Sequence, residues 1–222
     1  MATKQTLDIN ETLNKSEAFF VKYKTYILGA IAAIILIIAG VSIWKNQATK
    51  KEEKASTMLA KGQNYFAGND YESALNGDKA GYIGFLHIAK KYSSTKAGNL
   101  ANLYAGLCYY YKDDAKNAVK YLEAFDTKSD FTVSPAATAA LADCYASTGN
   151  VDKAISLLKK AAEKSNTSGL SPIFLKKAGI LLESQNKLDE AKKLYEEIQT
   201  KYRRSAEGQD IEKYIEDRKS VV

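Results

Sequence analysis

The segment whose composition differs most from the rest of the chain is an uncharged apolar run near the N-terminus. It extends from Ile27 to Ile43, contains seventeen residues without a charge, and is bordered by Tyr26 and Trp44. With both aromatic residues it would form a helix about 28 Å long, which approximately matches a hydrocarbon core about 30 Å thick. Its seven isoleucines, two leucines and one valine favour insertion by on the order of 5 kcal/mol. The pattern predicts a transmembrane helix over residues 26–44.

A cleaved signal peptide is the main alternative interpretation of this run. However, 26 residues precede it, it is longer than a typical signal-peptide core, and no Ala-x-Ala motif precedes a plausible cleavage site. No cysteine follows it closely for lipoprotein processing. We therefore expect an uncleaved single-pass anchor. Lysines flank the run on both sides, so the positive-inside rule does not choose its orientation.

Downstream, a different pattern repeats about every 36 residues. The segments 104–122, 139–158 and 177–195 align without internal gaps, and each has a small residue twelve positions before an alanine. Small residues let two antiparallel helices approach closely, so each segment predicts a helical hairpin. The three pairs of small residues are Gly106 and Ala118, Ala142 and Ala154, and Gly179 and Ala191.

A degenerate unit precedes these three hairpins. Gly62 and Tyr65 match the first-helix positions, while Gly81, Phe85 and Ile88 match second-helix positions after seven inserted residues. Gly81 is therefore expected to be the small residue of the second helix in this unit. Counting it, the sequence predicts four helical hairpins.

The hairpin pattern resembles the tetratricopeptide repeat. It reproduces the small and aromatic positions of that repeat with two or three extra residues between units, although the first-helix tryptophan is missing. The resemblance implies an α-solenoid. After the fourth hairpin, residues 206–218 place Ile211, Tyr214 and Ile215 on one face, which predicts a capping helix.

The predicted fold class is all-α, with a single N-terminal transmembrane helix followed by a tetratricopeptide repeat solenoid of about four hairpins and a capping helix. Neither glycine nor proline lies between Trp44 and Gly62, so the membrane helix is expected to continue unbroken into the first repeat. The predicted segments are a cytoplasmic tail at 1–25, a transmembrane helix at 26–44, a helical connector at 45–54, the solenoid at 55–204, and a capping helix with tail at 205–222.

The residues that enzymes need are scarce in this chain. It contains one histidine, His87, and two cysteines at equivalent repeat positions, Cys108 and Cys144. A disulfide needs Cα atoms within about 7 Å, whereas packed helices lie about 8 to 10 Å apart, so both cysteines are predicted to be buried and reduced. No phosphate-binding loop or nucleophile–base pair is recognisable. The protein is predicted to be non-enzymatic, without cofactor, metal or small-molecule substrate.

The net charge of +6 could suggest a nucleic-acid partner. However, 32 basic residues are interspersed with 26 acidic ones, whereas nucleic-acid binding usually requires a surface of one sign. Mixed charge of this kind is typical of solvated helix faces. No nucleic-acid binding is predicted.

A groove for a protein partner is the functional site that the repeat pattern favours. In a solenoid of hairpins the first helices line the concave face, which suits a peptide or a helix. As a set, the residues in that register favour an apolar client segment, although several could instead pack between neighbouring hairpins. The predicted partner-binding positions are Leu59, Gln63, Phe66, Leu103, Leu107, Tyr110, Tyr111, Ala139, Asp143, Ala146, Lys176, Ile180 and Glu183.

The combination of a short tail, one membrane helix and four degenerate repeats resembles the ancillary SecYEG translocon subunit family of bacterial inner-membrane proteins. The resemblance extends from SEAFFVKYKTYILGAIAAIILIIAGVSIW through the final repeats. It implies a cytoplasmic N-terminus, periplasmic repeats, and a chaperone-like role that contacts the Sec translocon, emerging secretory proteins or periplasmic chaperones. A repeat scaffold that assembles another bacterial envelope complex is the alternative function.

Overall fold

The computed structural model describes the backbone of residues 3–216 and the side chains of residues 17–215. Within this part the chain is helical and contains no strand, which confirms the predicted fold class. The ends of the two predicted tails, at 1–2 and 217–222, lie outside the described residues. The helices are α1 (Thr3–Ala67), α2 (Tyr71–Asn76), α3 (Phe85–Lys91), α4 (Lys96–Tyr111), α5 (Ala115–Ala124), α6 (Val133–Ser147), α7 (Val151–Ser165), α8 (Ser171–Ser184), α9 (Leu188–Lys201) and α10 (Ala206–Glu216).

The chain divides into two compact units, Met1–Lys50 and Lys51–Val222. The first unit contains the apolar run within α1, which is the one helix among the described residues that is long and apolar enough to cross a membrane. Helix α1 is unbroken as far as Ala67, as the absence of glycine and proline predicted. We call the second unit the repeat domain.

Four helical hairpins build the repeat domain. They pair α1 after residue 50 with α2, α4 with α5, α6 with α7, and α8 with α9. In each hairpin a buried small residue of the first helix precedes a buried alanine by twelve positions. A Cβ on Gly106 would lie 2.6 Å from Cγ of Leu122, and one on Gly179 would lie 2.3 Å from Cε1 of Tyr195. The predicted close approach of the two helices is therefore confirmed at these hairpins.

Each hairpin turn contains a residue with a left-handed backbone, seven positions after the small residue of the first helix. The φ angles are 59° at Asn69, 57° at Asp113, 83° at Gly149 and 59° at Asn186. Glycine, asparagine and aspartate adopt this conformation at lower cost than other residues. The recurrence of these residue types is a sequence signal for the turn that the repeat alignment did not use.

Gly81 does not have the predicted role in the first hairpin. It is exposed, its φ is 96°, and a Cβ there would meet nothing within 4 Å. The residue that stands twelve positions after Gly62 is Ala74, which is fully buried in α2. The inserted residues therefore follow this packing position and interrupt the second helix between Asn76 and Phe85.

Phe85 restores the packing of the first hairpin after the interruption. A Cβ on Gly62 would lie 2.5 Å from Cε1 of Phe85, and Phe85 and Ile88 are both fully buried. These two residues take second-helix positions, as predicted. Phe85 thus fills the space beside Gly62 that Leu122 and Tyr195 fill beside the glycines of later hairpins.

The same hydrogen-bonded corner precedes α4 and α10. Before α4, Thr95 Oγ1 donates to the carbonyl oxygen of Tyr92 at 2.7 Å and accepts from the backbone N–H of Gly98 at 2.9 Å. Before α10, Ser205 Oγ donates to the carbonyl oxygen of Tyr202 at 2.8 Å and accepts from the backbone N–H of Gly208 at 3.0 Å. Helix α10, which was predicted to be a cap, therefore begins in the same way as α4, the first helix of a hairpin.

Helix α10 covers the last hairpin by packing against α8 and α9. Ile211 and Ile215 are buried in this contact, and the ring of Tyr214 lies 5.5 Å from that of Tyr195. The buried apolar residues of the described chain all lie between Ala55 and Ile215. A fragment of residues 45–222 therefore retains the whole described core.

Replacing Gly98 with alanine should destabilise this fragment. The new Cβ would lie 1.9 Å from the carbonyl oxygen of Tyr92, and a backbone atom cannot rotate away. We expect a loss of about 1 to 3 kcal/mol, which is a fall in melting temperature of roughly 2 to 12 °C in thermal unfolding. Gly169→Ala is the control, because its Cβ would meet open space. Equal melting temperatures for the two variants would contradict the prediction.

Candidate protein-binding groove

Three positions of each first helix were predicted to face the groove. They stand three residues before, one residue after and four residues after the small residue, and we call them the first, second and third series. Their burial differs by series. The first series is Leu59, Leu103, Ala139 and Lys176, the second is Gln63, Leu107, Asp143 and Ile180, and the third is Phe66, Tyr110, Ala146 and Glu183.

The first series does not line a groove in the first three hairpins. Leu59, Leu103 and Ala139 are only 6%, 7% and 4% exposed. Leu103 packs in one buried cluster with Ala137 and Cys144 of the next first helix, α6. The predicted presentation of Leu59, Leu103 and Ala139 to a partner is therefore wrong, because packing between hairpins buries these side chains.

Lys176 is the fourth member of the first series and contacts the capping helix. Its Nζ lies 4.8 Å from the centroid of the Tyr214 ring in α10, within the range of a cation–π interaction. The side chain is half-buried. The role of Lys176 in partner binding stays a prediction.

The second and third series keep accessible surface. Ile180 is 43% exposed, and the other members of both series are half-buried. Leu107 and Tyr110 pack partly against the buried cluster that contains Leu103. These two series, rather than the first, form the candidate groove.

Five aromatic rings form a connected patch at the turn end of the first two hairpins. The ring centroid of Phe66 lies 5.7 Å from Tyr71, 5.3 Å from Tyr104 and 5.9 Å from Tyr111. Tyr71 and Tyr111 stack at 5.4 Å, and Tyr110 meets Tyr111 edge-on at 5.3 Å. Tyr111 remains 55% exposed. We call these five residues the aromatic patch.

Two members of the aromatic patch, Tyr71 and Tyr104, were not among the predicted groove residues. Tyr104 lies outside the three series, and Tyr71 belongs to a second helix, which the concave-face rule excludes. Gln63 Nε2 donates to Tyr104 Oη at 2.9 Å, and Tyr71 Oη donates to Asn69 Oδ1 at 2.7 Å. Each of these hydroxyl groups thus has a hydrogen-bond partner within the protein. The concentration of aromatic residues between 65 and 111 was the available sequence signal.

An open cleft of about 650 Å³ borders the aromatic patch at Tyr110 and Tyr111. Burial, followed by the charge of Asp143, raises the pKa of Tyr110. Burial also raises the pKa of Cys144 to about 11. Both groups are therefore uncharged at neutral pH, and the charge in the cleft wall comes from aspartates. The lining residues are Tyr110, Tyr111, Asp113, Ala115, Asp143, Cys144 and Ser147.

The two cysteines are buried free thiols, as predicted. Burial raises the pKa of Cys108 to about 12, so this thiol is protonated and unreactive at neutral pH. His87 is exposed on α3. The side chains described for residues 17–215 contain no group of three or more potential ligands placed to hold a metal ion.

Comparison with known proteins identifies the family. Residues 17–216 match a model of the tetratricopeptide repeat-like domain, so the chain belongs to this family. A solved structure of nearly identical TPR-like repeats, from a Podosopora anserina protein described as a kinesin light chain, matches with a TM-score of 0.57 and 14% identity over 74% of this chain and 84% of that chain. At this identity the match shows a shared fold alone. A search of the curated proteins gave no match.

The fold and the family define a class of protein rather than a reaction. Tetratricopeptide repeats form scaffolds for protein–protein interaction. The chain therefore has the fold of a protein-binding module, and its described residues contain one candidate membrane span.

Proposed function

We propose that the protein is a membrane-anchored module whose repeat domain holds apolar segments of partner proteins in the candidate groove. The observation that carries this proposal is the aromatic patch, with Tyr111 more than half exposed and Phe66 at its centre. Aromatic side chains provide large contact area at low cost in conformational entropy, and they often dominate protein interfaces. Leu107 extends the apolar surface along α4.

Replacing Leu107 and Tyr110 together with serine should weaken client binding at least tenfold, which corresponds to about 1.4 kcal/mol or more. Both side chains are half-buried, so the melting temperature should fall less than it does for a change in the hairpin core. The measurement is the affinity of fragment 45–222 for a reduced and alkylated secretory protein, together with its thermal unfolding.

The matched control for this test replaces Leu157 and Tyr121 with serine. They are also half-buried, but they lie on second helices and belong neither to the candidate groove nor to the aromatic patch. Binding should survive in the control. Unaltered binding in the groove variant would place the site elsewhere, and loss of its fold would show that these side chains belong to the core.

The more specific part of the proposal is an ancillary role at the Sec translocon of a bacterial inner membrane. The repeat domain would then be periplasmic and would contact emerging secretory proteins or periplasmic chaperones. Support comes from the arrangement of one apolar helix before the repeats. The alternative is a scaffold for another envelope complex, with the same fold and a different partner.

Crosslinking in cells followed by purification in mild detergent separates these two functions. Recovery of the translocon channel together with secretory clients supports the ancillary role. Recovery of a fixed envelope assembly without the channel overturns it in favour of the scaffold.

The orientation of the protein has its own test. Gln209 is exposed on α10, and both native thiols are buried, so Gln209→Cys creates one accessible site among the described residues. We expect a membrane-impermeant thiol reagent to label this variant in intact spheroplasts. Labelling only after lysis would place the repeat domain in the cytoplasm.

A further inference from the structure

We infer that the cleft beside the aromatic patch binds a lysine or arginine side chain of the partner segment. This inference rests on the proposed groove and adds a chemical requirement for its occupant. The cleft wall contains two carboxylates, Asp113 and Asp143, and two aromatic rings, Tyr110 and Tyr111, but no basic residue. A cation with an aliphatic stem matches both parts of such a wall.

The basic side chains near this cleft do not fill it. Lys112 forms an ion pair with Glu72 of the first hairpin. Lys177 of α8 is not part of the cleft wall, but its Nζ lies 2.7 Å from Asp143 Oδ2 and offsets the charge of that carboxylate. No ion pair of Asp113 is present within the described residues, and its side chain is exposed at the turn between α4 and α5. The uncompensated negative charge of the cleft wall therefore belongs to Asp113.

The aromatic rings provide the second contact that a cation needs. Tyr111 is 55% exposed although it stacks on Tyr71, and Tyr110 stands edge-on to it in the same wall. Guanidinium and ammonium groups are attracted to such rings, and arginine forms charge-assisted hydrogen bonds to carboxylates. Carboxylates would instead repel an acidic partner residue. Charge and ring placement together select a basic side chain.

The position of the cleft adds a sequence rule for the partner. Tyr110 and Tyr111 belong to both the cleft and the aromatic patch. A segment that places an apolar side chain against Phe66 or Leu107 therefore carries its lysine or arginine within a few residues. The preferred ligand is an apolar segment with an adjacent basic residue, rather than a purely apolar one.

Two fluorescent peptides test this inference on the full chain in lipid nanodiscs. Both contain a leucine anchor and differ at one position, arginine in one and citrulline in the other, so only the charge changes. We expect the arginine peptide to bind on the order of tenfold more tightly, with an advantage that shrinks as salt is raised. Replacing Asp113 with asparagine should remove most of this advantage, and citrulline binding should change much less than arginine binding.

The control variant carries Asp152→Asn and Asp189→Asn, two exposed carboxylates in α7 and α9 that are not among the lining residues of the cleft. It should keep the preference for arginine. One result would overturn the cation site but not the groove. In it, both peptides bind the unmodified protein with equal affinity, and the Leu107 and Tyr110 replacements weaken the binding of both. Failure of both peptides to bind the unmodified protein would overturn the groove as well.

Discussion

Replacing Phe85 with alanine should lower the stability of fragment 45–222 by about 3 to 5 kcal/mol, which is roughly 6 to 20 °C in melting temperature. Phe85 is fully buried and contacts the position where Gly62 has no side chain. Its ring also stacks on Tyr104 at 5.2 Å. Removing the ring leaves a cavity between α1, α3 and α4, and helices that are held by several long-range contacts cannot easily collapse into it.

Phe131→Ala is the matched control, because the same atoms are removed from a side chain that is 65% exposed. Its stability should change by no more than about 0.5 kcal/mol. Both variants are compared with the unmodified fragment by calorimetry or by circular dichroism during heating. Similar melting temperatures for the two variants would show that α3 does not complete the first hairpin.

Replacing Ala154 with leucine should also destabilise the repeat domain, by about 1 to 3 kcal/mol through overpacking. Ala154 is fully buried in one cluster with Ala142 and Leu158, so a longer side chain must displace a neighbouring helix. Thermal unfolding should show a fall of roughly 2 to 12 °C.

The control for this change is Ala136→Leu, the same substitution at an exposed position of α6. It should leave the melting temperature nearly unchanged, since leucine and alanine are both good helix formers. If Ala154→Leu unfolded at the same temperature as this control, the spacing of twelve between small residues would not describe the packing of the hairpins.

The hairpins could be predicted because their signal is local. A small residue, a turn and a second small residue lie within thirteen positions, and the same pattern occurs three times, at spacings of 36 and 37 residues. The small residue of the second helix was harder to predict in the first hairpin, because Gly81 fits the spacing between successive hairpins better than Ala74 does. The spacing of twelve within the hairpin gives the correct residue, since short loops hold antiparallel helices in a fixed register.

The candidate groove could be predicted only in outline. Helical periodicity places Leu103, Leu107 and Tyr110 on one side of α4, but it does not show how much of that side a neighbouring helix covers. Packing against α6 buries Leu103 and leaves Leu107 and Tyr110 partly accessible. The crossing geometry of successive hairpins determines this boundary, and it depends on side chains from several helices at once.

Local pattern was sufficient for the apolar helix, the number of hairpins and the burial of the cysteines, because each depends on periodicity or composition within a short segment. The aromatic patch required the tertiary structure. Phe66, Tyr71, Tyr104 and Tyr111 come from three helices and two hairpins, and their rings meet only after the hairpins have packed. The cleft likewise joins Asp113 and Asp143 from successive hairpins. Contacts between residues that are distant in sequence arise from the packing of whole helices, which no single segment encodes.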